Sequence, residues 1–285
     1  MDPLGGTGGR AEADGVASTA VAVSDGELSR ALTSSFRATF GDDASVAVAN
    51  LGGTVIWEYV GRGEAKAWST YKPLVVAALL AQRGGPAGLT DEDRESIEAA
   101  LEYSDNDSAR LLLDELVFAD DSGAGGLQLA KLLAQAGDTQ TRLPDVSSGE
   151  DIAEMEWSNS NQVRFLNMLG AGCLLPRDST EYLLGTMSKV TDEQRWGLGS
   201  IGATAFKGGW DTTDEGDYLV RQFGIVPTSP GEQLVVALTV KPEDSDPESA
   251  NAMASDVARW VVAHFKADSA DAVLRCGPET LPAAG

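Results

Sequence analysis

Two sets of β-forming runs lie far apart in this chain, and everything between them has helical period. Residues 45–51 and 54–60 are rich in β-branched and aromatic positions and are separated by Gly52-Gly53, which reads as a hairpin. Residues 204–207, 218–227 and 233–241 form the second set, and Thr228-Ser229-Pro230-Gly231 joins the last two as a turn. From residue 69 to about 200 the apolar spacing is helical. Residues 70–82 are apolar enough for a buried helix, and Thr90 carries Asp93 at capping-box spacing. Further helices are expected at 109–118, 127–136, 158–170 and 179–189, with an acidic, irregular loop at 143–157. A helix at 27–40, with Leu28, Ala31, Leu32, Phe36 and Phe40 on one face, opens the pattern, and one at 250–265 closes it.

Strands so far apart share one sheet only if the helical block is an insertion. The expected fold is therefore α/β of the α+β kind. It has a five-stranded antiparallel sheet, terminal helices packed on it, and an inserted all-helical subdomain. The expected division is a leader or linker at 1–24, a sheet subdomain from 25–63 and 201–267, a helical subdomain at 64–200, and a mobile tail at 268–285.

The charge balance excludes whole classes of partner. With 44 acidic and 21 basic residues the net charge is −23. That argues against nucleic acid and against anionic membrane surfaces. The longest apolar run, 74–81, is far too short to span a bilayer, and residues 1–24 contain no apolar core of a signal peptide. The single histidine, His264, excludes a histidine-rich metal site. Near the end of a helix it reads as a C-terminal packing residue and not as a base. Cys173 and Cys276 are too few for a disulfide framework; they either pair in an oxidising compartment or remain free thiols. No cofactor or metal is expected.

Chemistry is suggested first by Ser69-Thr70-Tyr71-Lys72, where a strand exit meets the apolar helix. Residues three apart share a helix face, so the hydroxyl and the ammonium can meet at the helix start. A lysine with a lowered pKa can act as the base that a serine nucleophile needs. Ser104-Asp105-Asn106 sits at a break between helices, and Lys207-Gly208-Gly209 lies on a strand after the helical block. Each is unremarkable alone. Together, in this order, they match the three-element signature of penicillin-recognising serine enzymes.

With these motifs the chain resembles the class A β-lactamase and penicillin-binding-protein superfamily. The resemblance extends through Gly125-Gly126-Leu127, Ala136-Gly137-Asp138 and Thr141-Arg142-Leu143, and covers roughly residues 25–267. It implies Ser69 as nucleophile and Lys72 as its base, with Lys207 as a second cation that lowers the Lys72 pKa and attracts a substrate carboxylate. It also implies Ser104 as proton relay to the leaving nitrogen and Asn106 as the residue orienting Lys72 and a substrate amide. The backbone N–H groups of Ser69 and Trp210 would form the oxyanion hole, and Gly208, Gly209 and Arg221 would contact substrate.

Three departures qualify that inheritance. Class A enzymes carry a glutamate shortly after Thr-Arg-Leu that activates the water for deacylation; here that place holds Ser147, and Glu150 is the nearest glutamate, with Asp145, Asp151 and Glu154 as weaker candidates. The middle residue of the strand motif is Gly208, which lacks the hydroxyl that usually meets a substrate carboxylate. The stretch from Ser69 to Ser104 is shorter than in class A enzymes, which implies a more open cleft.

The expected activity is a serine acyl-transfer hydrolase acylated at Ser69 by a β-lactam or a D-Ala-D-Ala-like amide, with slow or atypical release. The alternatives are a cell-wall DD-peptidase or esterase of the penicillin-binding type, and a catalytically idle binding protein on the same scaffold. The expected partner is a small-molecule or peptidoglycan-like substrate, the expected state a monomer. The superfamily implies an extracytoplasmic location, secreted or lipid-anchored, with a cytoplasmic one left open.

Overall fold

A computed structural model describes residues 25–62, 66–118, 124–266 and Cys276. The leader at 1–24, and the tail at 268–285 apart from Cys276, lie outside the described residues. The described chain runs α1 (Asp25–Phe40), β1 (Ala44–Asn50), β2 (Val55–Tyr59), α2 (Lys72–Arg83), α3 (Asp91–Glu102), α4 (Asn106–Phe118) and α5 (Ala124–Gln135). It continues with α6 (Asn159–Gly170), α7 (Arg177–Met187), β3 (Ala205–Thr212), β4 (Tyr218–Ser229), β5 (Glu232–Val240) and α8 (Pro247–His264). The sheet is antiparallel throughout, in the order β2-β1-β5-β4-β3. β1 thus pairs with β5 across the whole helical insertion, and β3 is left as an edge strand.

The period-2 alternation of the strands assigns the two faces. Val46, Val48, Leu234, Val236, Leu238 and Val240 face a core shared with α1 and α8. There Phe36 meets Trp260 edge-on, with ring centroids 5.0 Å apart, and Trp57 and Tyr59 pack around it. The opposite face carries Ala47, Ala49, Val235, Ala237, Phe223 and Ile225, and packs on the helical block. Small side chains on this second face let α6 lie close across β1 and β5. Because both faces are covered, β1 reads as a continuous apolar run.

Within the block, α2 is the central helix: residues from Leu74 to Leu80 are buried on every side. Its apolar run is therefore a core helix surrounded by other helices. Gly84 ends it in the left-handed conformation at φ 72°. α3 begins with the anticipated capping box: the Asp93 N–H donates to Thr90 Oγ1 at 3.0 Å, and the Thr90 N–H donates to Asp93 Oδ2 at 2.9 Å.

Two elements differ from the sequence reading in a way that bears on function. The helix expected at 70–82 starts as a 3₁₀ turn, Trp68–Tyr71, before α2 proper. β3 continues to Thr212 instead of ending at Lys207. Gly208-Gly209 has poor β propensity, but pairing with β4 from Ala205↔Ile225 to Thr212↔Tyr218 carries the strand through it.

Candidate active site

The 3₁₀ turn sets the relation between Ser69 and Lys72. The Lys72 backbone N–H donates to Ser69 C=O, an i to i+3 bond. In a 3₁₀ turn residues three apart eclipse, so the two side chains leave on the same side. Pro73, in the first turn of α2, forfeits no helical hydrogen bond. Trp68, just before Ser69, holds φ 41°, and Ser104 holds φ 61°. Left-handed backbone costs roughly 1–2 kcal/mol at a residue with a Cβ. Both lie in this site, as strained residues often do, while the third such residue among those described, Ser245 at φ 50°, lies just before α8.

The Lys72 ammonium is 1% exposed and fully engaged. It donates to Asn106 Oδ1 at 2.7 Å, to the Ser104 carbonyl at 2.7 Å, to the Asp105 carbonyl at 3.2 Å and to Ser104 Oγ at 3.3 Å. Asp105 itself caps α4, accepting from the Ser108 N–H at 2.7 Å. The break between α3 and α4 therefore divides its labour: Asp105 ends one helix and starts the next, while Ser104 and Asn106 face Lys72. Lys207, fully buried on β3, donates to Ser104 Oγ at 2.8 Å and to the Gly208 carbonyl at 2.8 Å. Ser104 Oγ is thus shared between two lysines that lie far apart in sequence.

Burial lowers the Lys72 pKa to about 8, opposed by the charge of Asp105. Lys207 is held well below the usual lysine range by burial first and by the charge of Lys72 second. Desolvation is the largest cause at both lysines.

Gly209 explains how closely the third motif approaches the first. A Cβ built on it would lie 3.0 Å from the Ser69 amide nitrogen and 3.2 Å from that of Thr70. Any side chain there would cover the N–H of Ser69. Gly208 points to the other face, where a Cβ would lie 3.4 Å from the Trp196 indole. Trp210 pairs with Trp196, ring centroids 6.2 Å apart at 75°.

Arg221 departs from the expected carboxylate contact. It is 0% exposed, and burial alone lowers its pKa to about 9. Its guanidinium donates to the carbonyls of Lys66 and Trp157, the latter at 2.7 Å, and to Asn159 Oδ1 at 3.2 Å. These bonds tie the segment entering Ser69 to the end of the 143–157 loop. The Ala67 N–H completes the junction by donating to the Met155 carbonyl at 2.7 Å.

Glu150 also departs from the expectation. It is exposed, and its Oε2 accepts from the Asp145 N–H at 2.8 Å, closing a turn of its own loop. Ser147, at the position expected for the deacylating glutamate, is bonded to Asp145 Oδ1. The other three candidate carboxylates are similarly occupied. Asp145 accepts from the Ser148 N–H, Asp151 from the Ala153 N–H at 2.9 Å, and Glu154 pairs with Lys66 at 3.0 Å. Asp151 also adds to the effect of burial in pushing the Tyr71 pKa up to about 12. His264 stacks on Trp260 at 4.0 Å, and its Nδ1 lies 2.8 Å from the Trp260 carbonyl, at the end of α8 in the other layer.

Some site residues escaped the sequence reading. Gln162 is fully buried and donates to Thr70 Oγ1 at 2.6 Å, steadying the turn that carries Ser69. Gln222 accepts from the Leu198 N–H at 2.7 Å and donates to the Gln194 carbonyl at 3.3 Å, which fixes the segment bearing Trp196. For Gln222 the available signal was an amide inside an apolar strand; Gln162, on α6, had none. Cys173 and Cys276 form a disulfide with Cα atoms 5.2 Å apart, so the segment expected to be a free tail is anchored at this one residue.

The fold compares well with solved enzymes. A class A beta-lactamase from Bacteroides cellulosilyticus superposes with a TM-score of 0.65 at 16% identity, covering 83% of this chain and 98% of that one. The TLA-3 extended-spectrum beta-lactamase gives 0.64 at 16% identity, covering 85% and 99%. A variant of the last common ancestor of Gram-negative bacteria class A beta-lactamase gives 0.60 at 23% identity, covering 83% and 97%. At these identities the likeness is one of fold. No curated protein sequence matches the chain significantly. The model of the family described as "Beta-lactamase enzyme family" matches residues 86–265, which include Ser104-Asp105-Asn106 and Lys207-Gly208-Gly209. With well over half its length matched, the chain belongs to the beta-lactamase enzyme family.

Proposed function

We propose that this chain is a serine acyl-transfer hydrolase that is acylated at Ser69 and released slowly. One observation carries the reading: Lys72 Nζ is held by Asn106 and by the 104–105 carbonyls, while Ser104 Oγ lies between Lys72 and Lys207. In its neutral form Lys72 takes the proton of Ser69 as Oγ attacks a carbonyl carbon. The backbone N–H groups of Ser69 and Trp210 receive the oxyanion. Ser104 Oγ passes a proton to the leaving atom and is resupplied from the lysine side. Slow release follows from the loop: Ser147 replaces the glutamate, and Asp145, Glu150, Asp151 and Glu154 each serve a local bond.

The acyl donors are amides and esters of the β-lactam or acyl-D-Ala-D-Ala kind. The esterase alternative gains support from Gly208 and the buried Arg221, since both remove a contact to the carboxylate that β-lactams and acyl-D-Ala-D-Ala donors carry. An exported location is supported by the Cys173–Cys276 disulfide, which persists in oxidising compartments. Among the described residues no helix is long and apolar enough to cross a membrane.

Intact-mass spectrometry tests the assignment with an excess of a penicillin and, separately, a p-nitrophenyl ester. One acyl group should add to the protein, persist for minutes or longer, and be absent from Ser69→Ala. No adduct with either reagent, or an adduct that survives Ser69→Ala, would overturn the proposal.

A further inference from the structure

The flank of β3 beside the leaving atom is built unlike a carboxylate site. A proton delivered by Ser104 Oγ places the leaving atom near that hydroxyl. Lys207 Nζ bridges Ser104 Oγ and the Gly208 carbonyl, which puts the Gly208 backbone at the edge of the proposed leaving-atom position. No side chain projects from Gly208, and the indole of Trp196 occupies its outer face. Trp210 extends this surface, stands 37% exposed, and lies on the edge strand where a ligand has access. The backbone that carries Trp196 is held from several sides. Gln222 fixes the backbone on both sides of Trp196, and Ser255 Oγ accepts from the Gly197 N–H at 2.9 Å. Gly197 sits at φ 55°, and a Cβ there would run into Gln222 Oε1.

The cations that could draw a carboxylate to this flank are otherwise engaged. Lys207 is buried with two acceptors, and Arg221 is turned into the interior. Arg195, next to Trp196, donates to the Ser188 carbonyl at 2.9 Å and lies 3.5 Å from Asp192. Beyond Trp210 the exposed charged groups are acidic: Asp211, Asp214 and Glu215.

We propose that Trp196 and Trp210 form an aromatic wall that selects acyl donors with an uncharged, aromatic or apolar leaving group. Neutral aryl esters and anilides are then preferred to carboxylate-bearing donors. The inference rests on acyl transfer at Ser69. In that step Ser69 Oγ bonds to the acyl carbon as the bond from that carbon to the leaving oxygen or nitrogen breaks. The serine proton goes by way of Lys72 and Ser104 to the leaving atom, and water later frees the acid and restores Ser69. A planar ring against two indoles gains offset or edge contacts that an anion would forfeit by losing water there.

The test compares phenyl phenylacetate with its 3-carboxyphenyl counterpart, which has the same acyl group and similar leaving-group reactivity. Acylation of Ser69 is followed at about 0.5 M salt, where long-range repulsion from the acidic surface is screened. The phenyl ester should react at least about tenfold faster. In Trp196→Ala and Trp210→Ala that ratio should fall to within about threefold, and Trp196→Phe should restore most of it. A carboxyphenyl ester that reacts as fast or faster, or a ratio unmoved in both alanine variants, would overturn this inference while leaving acyl transfer standing. Failure of both esters to label Ser69 would overturn the acyl-transfer reading and this inference with it.

Discussion

In the proposed reaction Lys72 makes acylation depend on pH in a direction that follows from its surroundings. Burial lowers its pKa to about 8 against the opposing charge of Asp105. Below that pH it is protonated and cannot take the Ser69 proton; above it, it is free to do so. The acylation rate should therefore rise about tenfold per pH unit on the acid side and level off above about 8. A stopped-flow profile checks this, and a flat profile between about pH 6 and 10 would remove Lys72 as the base. Lys72→Arg keeps the charge but has no neutral form, so it should abolish acylation while the protein stays folded. At this scale the sequence was informative. Ser69, Lys72, Ser104, Asn106 and Lys207 were named from three short motifs; hydrogen bonds join Lys72 to Asn106 and, through Ser104 Oγ, to Lys207. Arg221 was misread because a strand arginine shows its spacing in sequence but not which way its guanidinium turns.

Element by element, the segment that enters Ser69 and the loop from 143 to 157 behave as one piece. Arg221 binds the carbonyls of Lys66 and Trp157, so Arg221→Ala leaves both without those bonds inside the protein. A loss of about 2–4 kcal/mol in urea unfolding is expected, with Arg221→Lys recovering only part of it. Glu150 serves the Asp145 N–H in the same loop. Glu150→Gln should therefore leave deacylation unchanged within about twofold, a difference small on the scale of losing a general base. Trapping of the acyl-enzyme in that variant would reinstate Glu150 in release. Helices were legible because amphipathic spacing and caps such as Thr90 with Asp93 are local. The full length of β3 was not, because its glycines are held in strand conformation by β4, which follows later in the chain.

The whole molecule sets two further conditions on activity. The disulfide closes a loop of 103 residues between α6 and the C-terminal segment. Cys173→Ser with Cys276→Ser should lower stability by about 2–4 kcal/mol, read as an earlier denaturation midpoint. The net charge of −23 repels anionic donors over distances that salt shortens. Acylation by a penicillin should accelerate about two- to fivefold between roughly 10 and 150 mM salt, while a neutral ester should show no such trend.

What the sequence determined alone was the order of elements and the insertion of a helical block into an antiparallel sheet, and it nominated the serine, lysines and asparagine of the proposed site. These follow from periodicity and short spacings, which are properties of neighbouring residues. The tertiary structure decided where the side chains turn. It buried Arg221, committed Glu150 to its own loop, joined Cys173 to Cys276, and set Trp196 beside Gly208 and Trp210. Each of these depends on packing between segments distant in sequence, where burial and unsatisfied carbonyls decide the direction of a side chain and no local pattern records the outcome.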